Sequence, residues 1–333
     1  MRLNLSDNIP LPAPLTVHIE TVNRCNFKCV YCPESLDNYS DLVGGYGVLE
    51  LPQFKAICNG LRELGGVSVI RLWIMGEPLL NKSLVPMIDY AKDDSHGTIA
   101  DRIEVTTNAS ALSQHKIQEI VKSRLDIIKI SIYGIGIRHG QITGSKVSDQ
   151  KILENVKTLK ESRDRSEDSK LKIIVKMVDP VSIEETFAFK ERYHEFADEL
   201  EINTPHEWTE DSNSLYLKDS YNDEQLKKIA ANLPHLKKIC AFPFYTMAIH
   251  VNGDVSVCCV DWNKKATVGN IHQETLSEIW NGKALNKFRE LHLSDRRKEI
   301  EGCKNCSYFQ SNCRENIDKD SEMVLRKIRS LRV

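Results

Sequence analysis

Cys25, Cys29 and Cys32 lie in the stretch Asn23-Arg24-Cys25-Asn26-Phe27-Lys28-Cys29-Val30-Tyr31-Cys32-Pro33, separated by three and then two residues. Thiols spaced this closely can turn toward one centre, and as thiolates they are soft ligands for zinc or an iron–sulfur cluster. The loop offers no fourth cysteine. Structural zinc normally takes four protein ligands, whereas a cubane cluster held by three leaves one iron open to a chelating small molecule. A second array comes late in the chain. Cys240 and Cys258 flank an apolar segment with Asn252-Gly253 at its middle, which reads as a hairpin, and Cys303-Lys304-Asn305-Cys306 adds a compact pair. Four thiolates suffice for a closed site, of zinc or of a cluster.

The first array needs a scaffold, and the preceding segment Leu15–Glu20 reads as a strand on which His18 and Glu20 share one face. Helix and strand then alternate. Helices are predicted over Leu51–Leu64, Leu79–Ala91, Ser113–Lys122, Gln150–Glu161 and from Pro180 to about Phe196. Strands are predicted over Val67–Met75, Ile103–Thr106, Ile127–Ile132, Leu171–Val178 and around Glu201-Ile202. This is an α/β pattern of about six units with a parallel sheet. Residues 1–14, with Pro10, Pro12 and Pro14, read as an extended lead-in, and Glu161–Ser169 as a polar surface connection.

Polar groups fall just past the predicted strands. Gly76-Glu77-Pro78 combines a permissive glycine with a carboxylate able to accept from an ammonium group. Asn108 follows the third strand, and Ser131 lies in the fourth, before Tyr133-Gly134. Turn capping and strand-end hydrogen bonding are the plain alternatives for these residues.

The CxxxCxxC spacing of Cys25, Cys29 and Cys32, with Tyr31 before the last cysteine, resembles the signature of radical S-adenosylmethionine (radical SAM) enzymes. The resemblance implies a partial (β/α)6 barrel and a [4Fe–4S] cluster whose open iron binds S-adenosylmethionine. One-electron cleavage then gives a 5'-deoxyadenosyl radical. Gly76 and Glu77 match the motif that contacts the methionyl amino group, with Met75 where relatives have another glycine; Asn108 and Ser131 match further cofactor contacts. The order Cys240, Cys258, Cys303, Cys306 resembles the SPASM/Twitch auxiliary domain, implying a second [4Fe–4S] cluster with Cys313 as an alternate ligand. Val268-Gly269-Asn270 reads as a turn before an amphipathic helix, Trp280 as a core anchor and Cys58 as a buried packing residue. Strand alternation would turn Cys259 away from Cys258.

The resemblance divides the chain into a catalytic core (15–205), a connecting region (206–238), a small β-hairpin/α auxiliary domain (239–316) and a helical tail (317–333). It favours a small-molecule substrate, an aminocyclitol or sugar alcohol oxidised to a ketone, over radical modification of a ribosomal peptide; a nonenzymatic iron–sulfur scaffold is the remaining alternative. A flavodoxin or ferredoxin-like reductant is expected. His206, Glu207, Lys129, Tyr133 and Lys176 are the candidates for a catalytic base. The formal charge of −2, with no long basic tract, argues against a broad nucleic-acid surface. No apolar run spans a membrane, and ten cysteines fit metal sites in a reducing, cytoplasmic setting.

Overall fold

The computed structural model describes residues 4–178, 182–203 and 237–330. Six strands run in sequence order as parallel neighbours: β1 (Thr16–Ile19), β2 (Val67–Arg71), β3 (Ala100–Thr107), β4 (Ile127–Ile132), β5 (Lys172–Val178) and β6 (Glu199–Asn203). The two-residue period of a strand divides their side chains between two faces. Ile70, Ile103, Ile128, Ile173 and Val175 are buried in the main core, while Arg71, Glu104, Lys129 and Lys176 alternate with them on the lumen face.

Helices Leu51–Glu63, Leu84–Ala91, Gln114–Lys122, Asp149–Asp164 and Ile183–Tyr193 join the strands. Their starts are chemically marked. Glu50 and Gln53 close a capping box beside Pro52, and Ser113, Ser148 and Ser182 each accept from the backbone N–H three residues on. The last of these helices, expected after Pro180, starts at Ile183 behind the Ser182 cap.

The C-terminal strands extend the same sheet. β7 (Thr246–Ile249) pairs parallel to β1, followed by antiparallel β8 (Asp254–Ser256) and β9 (Thr267–Asn270). The strand order is therefore β6-β5-β4-β3-β2-β1-β7-β8-β9, and among the described residues β6 and β9 are the edges and the barrel is open. Gly269 and Asn270, expected in a turn, belong to β9, where Val255 and Asp254 of β8 supply their ladder partners.

Two local expectations change. Leu5–Asn8 forms a helical turn, because Leu5 and Ile9 bury against Val324 and Ile328 of the helix Ser321–Ser330. The helix from Asp149 continues to Asp164, where Arg163 grips both oxygens of Asp198 at 2.8 and 2.9 Å. A bidentate Arg–carboxylate pair outweighs the local polarity of that segment.

Candidate active site

The cysteine loop leaves β1 at its C-terminal end and is tied to the helix Ile137–Thr143. Lys28 N donates to Thr143 O (2.8 Å) and Val30 N to Ile142 O (2.9 Å). A residue that the sequence did not mark fixes the loop from beneath. Glu34, 1% exposed, accepts from Cys25 N through one carboxylate oxygen and from Gly76 N through the other, both at 2.7 Å. Glu77 N adds a bond to Arg24 O at 3.0 Å. The Gly76-Glu77-Pro78 turn and the cysteine loop are thereby one unit. The only local hint was an acid following Cys32-Pro33; its partner Gly76 lies 42 positions away.

Burial pushes the Glu34 carboxyl up to about 7, against the two N–H groups that favour its charged form. In Glu34→Ala both N–H groups lose a charged acceptor, at a cost of about 3 kcal/mol or more. We expect a lower melting temperature and poor iron incorporation, read from iron content per chain, with Glu34→Gln recovering at most part of it because an amide offers one acceptor oxygen. Unchanged iron content in Glu34→Ala would rule out this role.

The three thiols neighbour one another and are largely buried. Burial, then the nearby Glu34 carboxylate, pushes Cys32 up to about 12; burial likewise drives Cys25 and Cys29 upward. Thiolates become favourable here only with strong positive charge beside them, which iron supplies. Among the described residues no group of three or more His, Cys, Asp and Glu side chains is shaped for a single metal ion. Thiolates holding separate corners of a multi-iron cluster do not need that convergence.

Glu77 is 2% exposed and already accepts three bonds: from Leu79 N (3.0 Å), Thr107 Oγ1 (2.6 Å) and Asn108 N (2.7 Å). It joins the turn after β2 to the end of β3 and retains acceptor capacity for one more donor. Asn108 Nδ2 reaches Asn26 Oδ1 at 3.0 Å and Cys25 Sγ at 3.6 Å, so its amide lies against the cysteine loop. Ser131 bonds to Tyr133, whose ring packs 5.9 Å from Tyr31 and 6.5 Å from Phe27. Burial, then Cys29, drives the Tyr133 phenol well upward, which suits a donor rather than a base.

In the C-terminal array, Cys240, Cys258, Cys303 and Cys306 line one cavity with Phe242, His292 and Arg297. Arg297 donates to the carbonyls of both Cys303 and Cys306, fixing that pair. Burial pushes Cys303 up to about 12, the same demand for a cationic centre. Cys313 does not line the cavity; its buried sulfur sits 3.5 Å from the Tyr245 hydroxyl, beside Cys240. Cys258 lines the cavity and Cys259 does not; both follow the end of β8 at Ser256, and Cys259 meets His18.

Other sequence candidates separate in space. Lys129 and Lys176 face the lumen, where Lys129 Nζ lies 3.8 Å from Glu201 Oε1. His206 and Glu207 lie outside the described residues. Trp280 is fully buried with Nε1 donating to Leu11 O, and Cys58 is buried in its helix.

Residues 19–178 match the family profile of the radical SAM superfamily, and residues 240–307 match SPASM, an iron–sulfur cluster-binding domain. The chain belongs to the radical SAM superfamily. This radical SAM enzyme is 21% identical, over 91% of its length and 96% of the relative's, to an S-adenosyl-L-methionine-dependent 2-deoxy-scyllo-inosamine dehydrogenase of Niallia circulans. It is 28% identical over 152 residues to a PqqA peptide cyclase of Bradyrhizobium diazoefficiens, covering 44% of this chain and 36% of the cyclase. Its fold is similar to that of BtrN solved with AdoMet and 2-DOIA, with TM-score 0.56, 20% identity and coverage of 88% and 92% of the two chains. S-adenosylmethionine and a [4Fe–4S] cluster are its cofactors, with the SPASM domain for auxiliary iron–sulfur binding. Among the described residues no helix is long and apolar enough to cross a membrane.

Proposed function

We propose that this enzyme oxidises a hydroxyl-bearing carbon of a small polyhydroxylated substrate, of the aminocyclitol or sugar-alcohol kind, to a ketone. The observation that carries the reading is the match to the inosamine dehydrogenase along nearly the whole of both chains, auxiliary region included. Cys25, Cys29 and Cys32 would hold the SAM-binding cluster, and Gly76, Glu77, Asn108 and Ser131 the S-adenosylmethionine. Cys240, Cys258, Cys303 and Cys306 would hold the auxiliary cluster. When bound, these groups supply a 5'-deoxyadenosyl radical that takes the hydrogen atom and, at the four-cysteine site, a redox centre able to take the remaining electron.

The protein's part is to hold the carbon close to the radical, exclude other hydrogen donors and receive the hydroxyl proton. Tyr133 is unsuited as a base because its phenol is raised so far. Lys129 faces Glu201, and Lys176, held down to about 8 mainly by burial, is mostly protonated at neutral pH. Lys176 is therefore better placed to hold charge than to take a proton. A flavodoxin or ferredoxin-like reductant and a reducing, cytoplasmic compartment go with this chemistry.

Peptide modification is the second reading, favoured by the match to the peptide cyclase over 44% of this chain. The test is turnover of polyols deuterated at each carbinol carbon, with the reduced, reconstituted enzyme. Deuterium in 5'-deoxyadenosine together with a product two hydrogens lighter supports the dehydrogenase. A peptide product crosslinked or epimerised without a ketone, and no deuterium transfer from any polyol, would select the other.

A further inference from the structure

We infer that the barrel lumen receives an anionic group of the substrate, a carboxylate or phosphate, and that Lys176 holds it with Arg71 and Lys129 alongside. The inference rests on the reading of a small polyhydroxylated substrate and adds an acidic group to it, as in a sugar acid or a sugar phosphate.

The charges on the lumen face are unevenly matched. Glu104 is committed on both oxygens, to Arg71 Nε at 3.1 Å and to Arg102 Nε at 2.8 Å. Glu201 is claimed by Lys129 at 3.8 Å. Glu20, just past the end of β1, accepts from Val251 N at 3.1 Å and faces His250 at 3.6 Å. Among the described residues no hydrogen bond or ion pair reaches the Lys176 ammonium, although Lys129, Glu201, Arg71 and Cys259 all act on it electrostatically. A partly buried ammonium facing two other cations is costly without a counter-ion. Burial first, and then Lys129, hold Lys176 down to about 8, a strain that an arriving anion relieves.

Position supports the same conclusion. Lys176 is the register partner of Ser131 on β4 and of Glu201 on β6. Neighbouring strands lie about 4.8 Å apart, so the ammonium sits one strand from the Ser131–Tyr133 pair that packs on the cysteine loop. The surrounding wall suits a polyol. Trp73 offers a ring steadied by Arg71 at 5.6 Å and by the edge of His18 at 5.5 Å, and buried His18 Nδ1 and Thr106 Oγ1 have no hydrogen-bond partner among the described residues. Hydroxyl groups would satisfy those two atoms.

Calorimetric titration of the reconstituted holoenzyme with S-adenosylmethionine tests this, using glucuronate, glucose 6-phosphate, glucose and glucosamine as probes. At least one anionic probe should bind about tenfold or more tighter than glucose, with glucosamine weakest, as expected of charge-assisted hydrogen bonds. The tighter of glucuronate and glucose 6-phosphate distinguishes carboxylate from phosphate. Lys176→Met should erase the preference and Lys176→Arg keep much of it, in proteins shown by iron content and melting temperature to be assembled. Glucosamine binding as tightly as the anions, no binding of either anion, or an unchanged preference in Lys176→Met would overturn the inference. Anion binding with no deuterium transfer from any polyol would instead remove the dehydrogenase reading and leave the anion site standing.

Discussion

Replacing Cys29 with alanine should reduce 5'-deoxyadenosine formation to background while leaving the C-terminal cluster in place. Cys29 is the middle thiol of the first array, buried beside Cys25 and Cys32, and is proposed as a cluster ligand. Its loss leaves two thiolates for a cluster that needs three and removes the cofactor's anchor with it. The array around Cys240 is built by different elements and has its own four thiols. Iron should therefore fall from about eight to about four atoms per chain, as expected if each array holds one four-iron cluster. Cys303→Ala is the converse: iron falls by a similar amount, S-adenosylmethionine cleavage survives and product formation is lost. Retained cleavage in Cys29→Ala would contradict the assigned ligation, and equal loss of cleavage in both variants would make the arrays one interdependent site.

The second large effect is expected at Gly76. Its backbone has φ +77°, and an added Cβ would lie 2.1 Å from Val22 O and 3.0 Å from Arg24 N. These are backbone atoms at the root of the cysteine loop, so no side-chain rotation relieves the clash. Gly76→Ala must move the turn away from the loop, loosening the bonds from Gly76 N to Glu34 and from Glu77 N to Arg24 O. We expect a loss of about 3 kcal/mol or more in stability. A displacement of about 1 Å at the turn should reduce S-adenosylmethionine cleavage by on the order of a hundredfold. Gly65 is the control. It too has positive φ, +94°, but a Cβ there meets nothing within 4 Å, so Gly65→Ala should cost only about 1 kcal/mol and leave cleavage intact. Equal melting temperatures and equal cleavage in the two variants would refute the proposed close packing.

Much of the scaffold was legible because its signals are local. The strand over Ile127–Ile132 has the bounds its apolar pattern predicts, and the helix from Leu51 ends at Glu63, two residues before the Gly65-Gly66 break. The errors have a common source. The Gly269-Asn270 pair has turn-like composition but lies in a strand because β8 offers it a ladder. Leu5–Asn8 follows no local rule that the prolines would respect, and becomes helical because the C-terminal helix covers it.

The sequence by itself determined which residues can do chemistry: the spacing of Cys25, Cys29 and Cys32, the Gly76-Glu77 turn and the late cysteines are all readable within short windows, because chain geometry limits what residues a few positions apart can reach. The tertiary structure alone decided what surrounds them. Glu34 acquires its role from Gly76, 42 residues away, and the cationic lumen arises only when parallel register lines Arg71, Lys129 and Lys176 along one face of an open barrel. Hydrogen-bond register and sheet curvature are properties of paired strands, so no single segment carries them.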